Sequence, residues 1–383
     1  MNVRNHASAI LIGVATLTIA TTTAISTQLF SGMATAVEES QLDLMQATVE
    51  SKLRNAEASA TTRAAWIAEQ PDVRRLLAAQ DREGLVAATR GSFQRQHDQF
   101  GLEVMQFDVP PATLLVRVHS PDRPSEDLSS YRPSVVAVNA DRAPRHGVEL
   151  SRSGASLIAV VPIAAPDGAH AGSVEVGLGL GPMLDDLDES FELDASFFVL
   201  EEPLREISTR VDPTMLDDDN RVGSYLKWYS TNWALTRSLV DAEDLGSLEE
   251  PARYTRTVDG VPYGVLLVPV RNISGEPIGV ISVARDFSST RAAAGRSLVW
   301  QALLALFASV VIAGGILVVI RGLLLRPLAR VSVAMGELAQ GQAGTTIADV
   351  ESMPEELQEI AKHHETMRAR QAVRTLYGPG ESS

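Results

Sequence analysis

The chain has 383 residues, a formal net charge of −15 and no cysteine. The acidic balance argues against nucleic acid as a partner, because binding to phosphates needs clustered lysine and arginine. The lack of cysteine excludes disulfide bonds and thiolate metal sites, and the length allows about two or three domains. Residues 1–30 carry only Arg4, and residues 321–383 are almost balanced in charge. One large acidic domain is therefore expected between two nearly neutral ends.

Two uncharged apolar runs divide the chain, Ala7–Phe30 and Ser297–Ile320. About 20 helical residues span the hydrocarbon core of a bilayer, so both runs are long enough to be transmembrane helices. The second run is rich in Leu, Val, Ile and Ala, whereas the first is rich in Thr. An alternative for the first run is a cleaved signal peptide, because Ala34-Thr35-Ala36 is similar to a cleavage site.

Arg4 lies before the first run, and Arg321, Arg326 and Arg330 lie after the second. Positively charged residues favour the cytoplasmic side of a membrane. We therefore expect a two-pass protein of the inner membrane, in which residues 1–6 are cytoplasmic and residues 31–296 are periplasmic.

The periplasmic segment begins with a helical region, residues 31–99. Apolar residues recur at spacings of three and four between Leu42 and Ile67, which predicts a long amphipathic helix over Gly32–Gln70. Pro71 breaks it, and shorter helices are expected over Arg74–Ala79 and Asp81–Arg95. A helix this long usually pairs with another helix of the same chain or of a dimer partner.

Two short segments of strand-like alternation follow, Glu103–Val109 and Thr113–His119. Side chains alternate between the two faces of a strand, so the second segment predicts Leu114, Val116 and Val118 on one face. Leu115, Arg117 and His119 would then share the other face, towards a cavity or water. A polar loop with Asp127 leads to Tyr131-Arg132 at the start of a short helix, and we expect the ligand chemistry here. Further strands are predicted at Gly147–Leu150, Ser156–Ile163 and Ser173–Leu180.

The chain repeats itself at a constant offset of 107 residues. Residues 161–177 align without gaps with residues 268–284, and both copies read as a strand, a tight glycine turn and a second strand. Two tandem α/β lobes are therefore expected, at residues 100–185 and 186–296. Within the second lobe, Arg221–Val240 carries Tyr225, Trp228, Tyr229 and Trp233 at helical spacing. That spacing predicts a helix packed on the second sheet.

Two short heptad-like stripes lie in residues 321–375. Leu328, Val331, Met335 and Leu338 form the first stripe, and Leu357, Ile360, His364 and Met367 form the second. Gly341–Gly344 separates the two predicted helices, Pro354-Glu355-Glu356 begins the second, and residues 376–383 form a tail. Stripes this short need a partner to be stable, so we expect a homodimer with a parallel four-helix bundle.

The order of these parts resembles a bacterial transmembrane receptor of the chemoreceptor and sensor-kinase kind. Residues 40–290 resemble the double Cache family, its third subfamily in particular, and residues 321–375 resemble a HAMP domain through Pro327, Gly341 and Glu355-Glu356. The residues that carry the Cache resemblance are Pro110-Pro111-Ala112, Arg117-Val118-His119, Glu126-Asp127-Leu128, Tyr131-Arg132, Asn139, Gly147-x-Glu149 and Gly172-Ser173-Val174-Glu175-x-Gly177.

The resemblance implies a fold class: an α/β membrane protein with two tandem PAS-like Cache units outside, two transmembrane helices and a HAMP-like module inside. It also implies that the membrane-distal lobe binds a small metabolite, an amino acid, amine or organic acid, without a cofactor or metal. The candidate ligand-binding residues are Arg117, His119, Tyr131, Arg132, Asp127, Glu149 and Glu175. Arg117–Asp127 or Arg132–Glu149 could instead be structural ion pairs that brace the loop.

The sequence departs from the family pattern at Ser125-Glu126 and at Leu157-Ile158, which leaves the ligand open. No methyl-accepting hairpin, kinase or cyclase pattern follows the HAMP-like segment. The chain could therefore act through a separate cytoplasmic or membrane signalling protein, or be a split or truncated gene product. An enzyme is not expected, because no nucleophile-elbow or P-loop motif occurs. A zinc site of His119, Asp127 and His146 can be imagined, but the spacing of these residues does not favour it.

Overall fold

The computed structural model describes residues 3–246, 248–321, 326–340, 346–353 and 355–377. Its first element is a helix of 66 residues, α1 (Val3–Ala68). The chain divides into a large body, Ala34–Arg291, and a small body made of Met1–Met33 and Ala292–Ser383. In the large body, α1 buries Leu42, Met45 and Val49 against the main apolar core, as the helical spacing predicted. The helix ends just before Pro71, which occupies the first turn of the next helix.

The remaining helices and strands are as follows in chain order. The helices are α2 (Pro71–Ala78), α3 (Arg82–Phe100), α4 (Pro133–Asp141), α5 (Gly181–Phe191), α6 (Glu201–Ile207), α7 (Trp233–Leu239), α8 (Ser288–Val319), α9 (Arg326–Ala339) and α10 (Glu355–Tyr377). The strands are β1 (Leu102–Val109), β2 (Thr113–Arg117), β3 (Glu126–Asp127), β4 (Arg145–Ser151), β5 (Gly154–Ala164), β6 (His170–Leu178), β7 (Asp194–Leu200), β8 (Arg221–Val222), β9 (Tyr225–Ser230), β10 (Ala252–Val258), β11 (Val261–Arg271) and β12 (Pro277–Asp286).

The strands of the large body form two antiparallel sheets. The first sheet has the order β3-β2-β1-β6-β5-β4, and the second has the order β10-β11-β12-β7-β9-β8. In reverse, the order of the second sheet is β8-β9-β7-β12-β11-β10. Position by position, β9, β7, β12, β11 and β10 then correspond to β2, β1, β6, β5 and β4 of the first sheet. The prediction of two tandem copies of one fold is therefore confirmed. We call them the first lobe and the second lobe.

The repeated glycines have the same physical role in both lobes. A Cβ atom on Gly172 would collide with the carbonyl oxygen of Asp108, and one on Gly279 would collide with that of Phe198. Ser173 pairs with Asp108 across the first sheet, and Val280 pairs with Phe198 across the second. Each glycine thus lets the hairpin strand approach the lobe's first strand closely.

The predicted alternation on β2 is wrong at Leu114 and Leu115. Phe107 pairs with Val116 but Asp108 pairs with Leu114, so a bulge places an extra residue in β2. Leu115 therefore joins Val116 and Val118 in the main core, whereas Leu114 lies in a smaller cluster with residues of α4. A bulge inverts the facing of every residue beyond it, which a period of two in the sequence does not reveal.

The helix predicted over Arg221–Val240 is also wrong for most of its length. Tyr225, Trp228 and Tyr229 lie on the strand β9, which pairs with β7, and the helix α7 begins only at Trp233. Aromatic residues favour strands, and here their spacing coincided with a helical period. Asn232 caps α7 by accepting a hydrogen bond from the backbone N–H of Leu235 at 3.3 Å.

In the small body, the segment Val299–Val319 of α8 has a mean hydropathy of 2.7. It is the one segment among the described residues that is long and apolar enough to cross a bilayer. Helices α9 and α10 pack together through Val331, Ala334, Leu357 and Ala361. The predicted glycine break at 341–344 and Pro354 lie outside the described residues.

The close strand approach predicts a stability effect. Gly172→Ala and Gly279→Ala should each lower the free energy of unfolding by about 1–3 kcal/mol, the usual cost of overpacking. Gly91→Ala is the matched control, since Gly91 lies in the middle of α3 and the nearest side-chain atom to its added Cβ is at 3.7 Å. It should stabilise by up to about 1 kcal/mol. Denaturant unfolding of the full chain, monitored by tryptophan fluorescence, measures the free energy of unfolding of the three variants. Equal stability of the three variants would contradict the steric explanation.

Candidate functional site

A cavity of about 70 Å³ lies against one face of the first sheet. Five of the seven predicted residues line it, namely Arg117, His119, Tyr131, Arg132 and Glu175. A water molecule needs about 10–15 Å³ of such volume, and pockets for drug-sized ligands are on the order of 300–1,000 Å³. The cavity therefore suits a compact ligand of a few heavy atoms.

Arg117 is the central cation of the cavity. It lies near the end of β2 with 9% of its surface exposed. Its Nε donates to Gln106 Oε1 at 3.3 Å, and its Nη2 donates to Glu126 Oε2 at 3.2 Å. Its buried Nη1 has no hydrogen-bond partner among the residues that the structure describes. A buried guanidinium N–H without an acceptor is costly, so this atom is available to a ligand anion.

His119 contributes a second unpartnered polar atom, its buried Nδ1. Burial and the neighbouring Arg117 guanidinium lower the pKa of His119 to about 4, so the ring is neutral near pH 7. The ring also contacts Phe93, with centroids 6.1 Å apart. A neutral imidazole can donate to or accept from a ligand without adding charge to the site.

Tyr131 forms part of the cavity wall. The guanidinium of Arg152 lies over its ring, 4.3 Å from the centroid. Its buried hydroxyl makes no well-oriented hydrogen bond. Burial and the nearby Glu126 carboxylate raise the pKa of Tyr131, so the hydroxyl stays protonated and can donate. Arg117, His119 and Tyr131 thus each present an unsatisfied polar atom at one cavity.

Arg132 lies behind this group and joins two buried carboxylates. Its Nε is 3.2 Å from Glu149 Oε2, and its Nη2 is 2.5 Å from Glu175 Oε2. Ser134 donates to Glu149 Oε2 at 2.8 Å. Burial would lower the pKa of Arg132, but the two carboxylates outweigh it and raise that pKa. The Arg132–Glu149 brace considered from the sequence is therefore present, and Glu149 lies behind Arg132 rather than at the cavity.

Gln106 links Arg117 to this buried group. Its amide nitrogen donates to Asp108 Oδ1 at 3.2 Å and to Glu175 Oε2 at 3.4 Å, while its oxygen accepts from Arg117. Burial and the charge of Glu175 raise the pKa of Asp108 well above its usual range. A continuous polar network, with Asp108 fully buried in it, therefore runs beneath the cavity from β2 to α4.

The structure does not bring Asp127 to the cavity. Asp127 is exposed and accepts hydrogen bonds from the backbone and side chain of Ser129, at 3.0 and 2.6 Å. The Arg117–Asp127 ion pair considered from the sequence is absent, because Glu126 is the residue that pairs with Arg117. The zinc site of His119, Asp127 and His146 that the sequence analysis considered does not form either. The Nε2 atom of His146 instead lies 3.8 Å from Oε2 of Glu57 on α1.

Three further arginines line the cavity, and sequence reasoning missed them. Arg123 comes from the loop after β2, Arg152 from the turn between β4 and β5, and Arg210 from the second lobe. Arg152 pairs with Glu126 at 3.3 Å. The Ser153-Gly154 turn signal could have drawn attention to Arg152, but nothing in the sequence places Arg210 beside the first lobe.

The cavity and its network carry an excess of positive charge. Five guanidinium groups, those of Arg117, Arg123, Arg132, Arg152 and Arg210, lie at the site. They face four carboxyl groups, those of Asp108, Glu126, Glu149 and Glu175, so the guanidinium groups outnumber the carboxyl groups. In the described structure, Arg123 and Arg210 have no carboxylate within ion-pair distance. Clustered cations with few carboxylates attract an anion.

The second lobe lacks this chemistry at the equivalent positions. Gln106 pairs with Arg117 and Glu175 across the first sheet, whereas Ser196 pairs with Ser230 and Ser282 across the second. The hydroxyl of Ser196 bonds to those of Ser230 and Thr236, at 2.6 and 2.8 Å. Small neutral hydroxyls therefore replace the charged group, and the cationic site is specific to the first lobe.

The lowered pKa of His119 predicts a pH dependence of stability. Between pH 6.5 and about 4 the unfolded chain binds a proton at His119 that the folded chain does not, so stability falls as the pH falls. The loss is at most about 3 kcal/mol, and above pH 6.5 this residue contributes no pH dependence. His119→Asn should remove this component. Denaturant unfolding of both proteins between pH 7.5 and 4 measures it, and parallel profiles would contradict the prediction.

A family model described as the double sensory domain of two-component sensor kinases, dCache_3, matches residues 36–290. None of the curated proteins searched matches the chain.

Solved structures that match the chain include the extracellular domain of a protein described as the histidine kinase vpHK1S-Z8, at 14% identity and a TM-score of 0.43. That match covers 69% of this chain and 96% of that chain. Another is the ligand-binding domain of the Campylobacter jejuni chemoreceptor Tlp3 with 4-methylisoleucine, at 8% identity and 0.41, covering 67% and 93%. A domain of a sensory box/GGDEF family protein from Vibrio parahaemolyticus matches at 13% identity and 0.42, covering 67% and 99%. Because the family model spans about two thirds of the chain and nearly all of the large body, the chain belongs to the double Cache family dCache_3.

Proposed function

We propose that this chain is a membrane-bound sensor that binds a small acid, an organic acid or an amino acid, in the cavity of the first lobe. The observation that carries the proposal is the buried, unpartnered Nη1 of Arg117 at that cavity. The membership of a sensory-domain family supports a binding role rather than catalysis.

The charge of the cavity distinguishes among the ligands that the sequence left open. An amine would need a free carboxylate, but Glu175 is engaged by Arg132 and Glu126 by Arg117 and Arg152. A carboxylate instead meets a planar guanidinium that can bind it with two parallel hydrogen bonds. The geometry therefore favours an acid over a simple amine.

Arg117→Ala should weaken binding of such an acid by about 1.5–3 kcal/mol, the range for a hydrogen bond to a charged group. This corresponds to a roughly 10- to 150-fold rise in Kd. The matched control is Arg271→Ala, because Arg271 lies in the second lobe and bonds only to the carbonyl of Gly275 in the described structure.

Titration calorimetry on the full chain in lipid nanodiscs measures the Kd of both variants for a panel of small carboxylates and size-matched amines. Unchanged affinity in Arg117→Ala, or loss of affinity in Arg271→Ala alone, would refute the assignment.

We place this sensor in the inner membrane with two spans, residues 7–30 and 297–320, and with residues 31–296 in the periplasm. Val299–Val319 supports the second span. The described part of the first run is less hydrophobic than Val299–Val319. Its threonine hydroxyls, however, donate hydrogen bonds to backbone carbonyls of the same helix. Thr18 and Thr22, for example, donate to the carbonyls of Val14 and Thr18 at 2.9 Å. Such bonds reduce the cost of a hydroxyl in a membrane.

The proposed signal passes to the HAMP-like helices, residues 321–375, through a homodimer. Within one chain, Val331, Leu338 and Leu357 are buried, but Leu328, Met335, Ile360 and Met367 are between 38% and 51% exposed. Half of each apolar stripe is therefore left for a second copy to cover. A ligand can bias such a bundle only through its differential affinity for two packings.

Single cysteines in this cysteine-free chain test both the topology and the dimer. An impermeant thiol reagent on intact spheroplasts should label Ala169→Cys, which lies in the exposed turn before β6, but should label Leu328→Cys only after lysis. In membranes, oxidation should cross-link Leu328→Cys between subunits. Leu357→Cys is the control, since Leu357 is buried within its own chain. External labelling of Leu328→Cys would contradict the topology, and no cross-link there would contradict the dimer.

A further inference from the structure

We propose that the ligand is a compact dicarboxylate, and that Arg210 of the second lobe binds its second carboxylate while Arg117 of the first lobe binds its first. This inference rests on the proposed function and deepens it. It makes the site a joint structure of the two lobes rather than a property of the first lobe alone.

Arg210 reaches the cavity on a segment that is held against the first lobe. We call residues 207–210, which comprise the last residue of α6 and the three residues after it, the strap. The backbone N–H of Arg210 donates to the carbonyl of Arg152 at 2.8 Å, and Ser208 Oγ donates to the carbonyl of Ser151 at 2.7 Å. Arg152 in turn donates to the carbonyl of Ile207 at 3.4 Å. The strap is therefore fixed at the cavity by the β4–β5 turn of the first lobe.

The helix before the strap contacts both lobes. α6 packs against β4 and β5 of the first lobe and against β7 of the second, and its Leu204 is buried in the main core. A change in the position of Arg210 is therefore coupled to the contact between the lobes, because the strap follows α6 directly.

Arg210 lines the cavity together with two other cations, Arg117 and Arg123. In the described part of the chain, neither Arg210 nor Arg123 has a carboxylate within ion-pair distance. Partial burial and the charges of Arg123 and Arg117 lower the pKa of Arg210, whose side chain is otherwise exposed. The Glu126 carboxylate acts in the opposite direction, but it already bonds to Arg117 and Arg152.

The two guanidinium groups set the class of ligand. In the described structure Arg117 Nη1 has no acceptor and Arg210 has no carboxylate within ion-pair distance, so a monocarboxylate would leave one of the two without a partner. A dicarboxylate would neutralise both, with one acidic group for each lobe. The cavity of about 70 Å³ restricts it to a short carbon chain. Inorganic phosphate has similar charge and size, and the experiment distinguishes it.

Calorimetry on the full chain in lipid nanodiscs tests the inference with malonate and succinate, with acetate and propionate, and with inorganic phosphate. Arg210→Ala should weaken binding of the better dicarboxylate at least 10-fold while changing the affinity for monocarboxylates less than twofold. Arg117→Ala should weaken both classes. Arg210→Lys should keep part of the dicarboxylate affinity, because the charge is retained but the planar fork is lost.

Arg205→Ala is the matched control, since Arg205 lies on α6 and pairs with Glu201 away from the cavity. It should leave all affinities unchanged. If Arg117→Ala abolishes binding and Arg210→Ala does not, the role of Arg210 is refuted while the acid-binding site stands. If neither variant alters binding, both proposals are refuted. Binding of phosphate or monocarboxylates without dicarboxylates, or of none of the probes, would overturn the ligand class.

Discussion

The cavity depends on one buried interaction, the pairing of Arg132 with Glu149 and Glu175. All three side chains are at most 3% exposed, and an unpaired charge at this depth would be strongly destabilising. Their mutual pairing fixes the start of α4 against β4 and β6, and Gln106 connects it to Arg117. The residues that face the ligand are thus oriented by residues that do not. This arrangement explains why Arg117 can keep an unpartnered Nη1: the rest of its guanidinium is held in place by the network.

The two lobes show how one fold supports different chemistry. Their sheets share strand order, hairpin register and the glycines at the close strand approach, because these are requirements of the backbone. The side chains on the corresponding sheet positions are free to differ. Gln106, Arg117 and Glu175 are replaced by Ser196, Ser230 and Ser282. The second lobe therefore has no charged side chain at these three positions, but it contributes Arg210 to the cavity of the first lobe.

A continuous apolar core constrains how the lobes can respond to a ligand. The main core includes Phe107 of the first sheet, Phe197 of the second and Met45 of α1. Close-packed interiors do not deform continuously, so large separation of the lobes would expose much of this core. Small displacements of the strap and of α6 against the first lobe are compatible with it.

The sequence by itself determined the parts of this protein that follow from local pattern. The α1 periodicity, the 107-residue repeat and the strands that carry Arg117 and Glu175 could all be read from it, because apolar spacing and turn residues act over a few positions. The tertiary structure alone decided the rest. The bulge in β2 reversed the facing of Leu114 and Leu115, and pairing with β7 made a strand of the aromatic segment predicted as a helix. Glu126, not Asp127, became the partner of Arg117, and Arg210 reaches the cavity although it lies more than 90 residues after Arg117 in the chain. Sheet register and contacts between distant segments are set by the whole packed core, and no local pattern contains them.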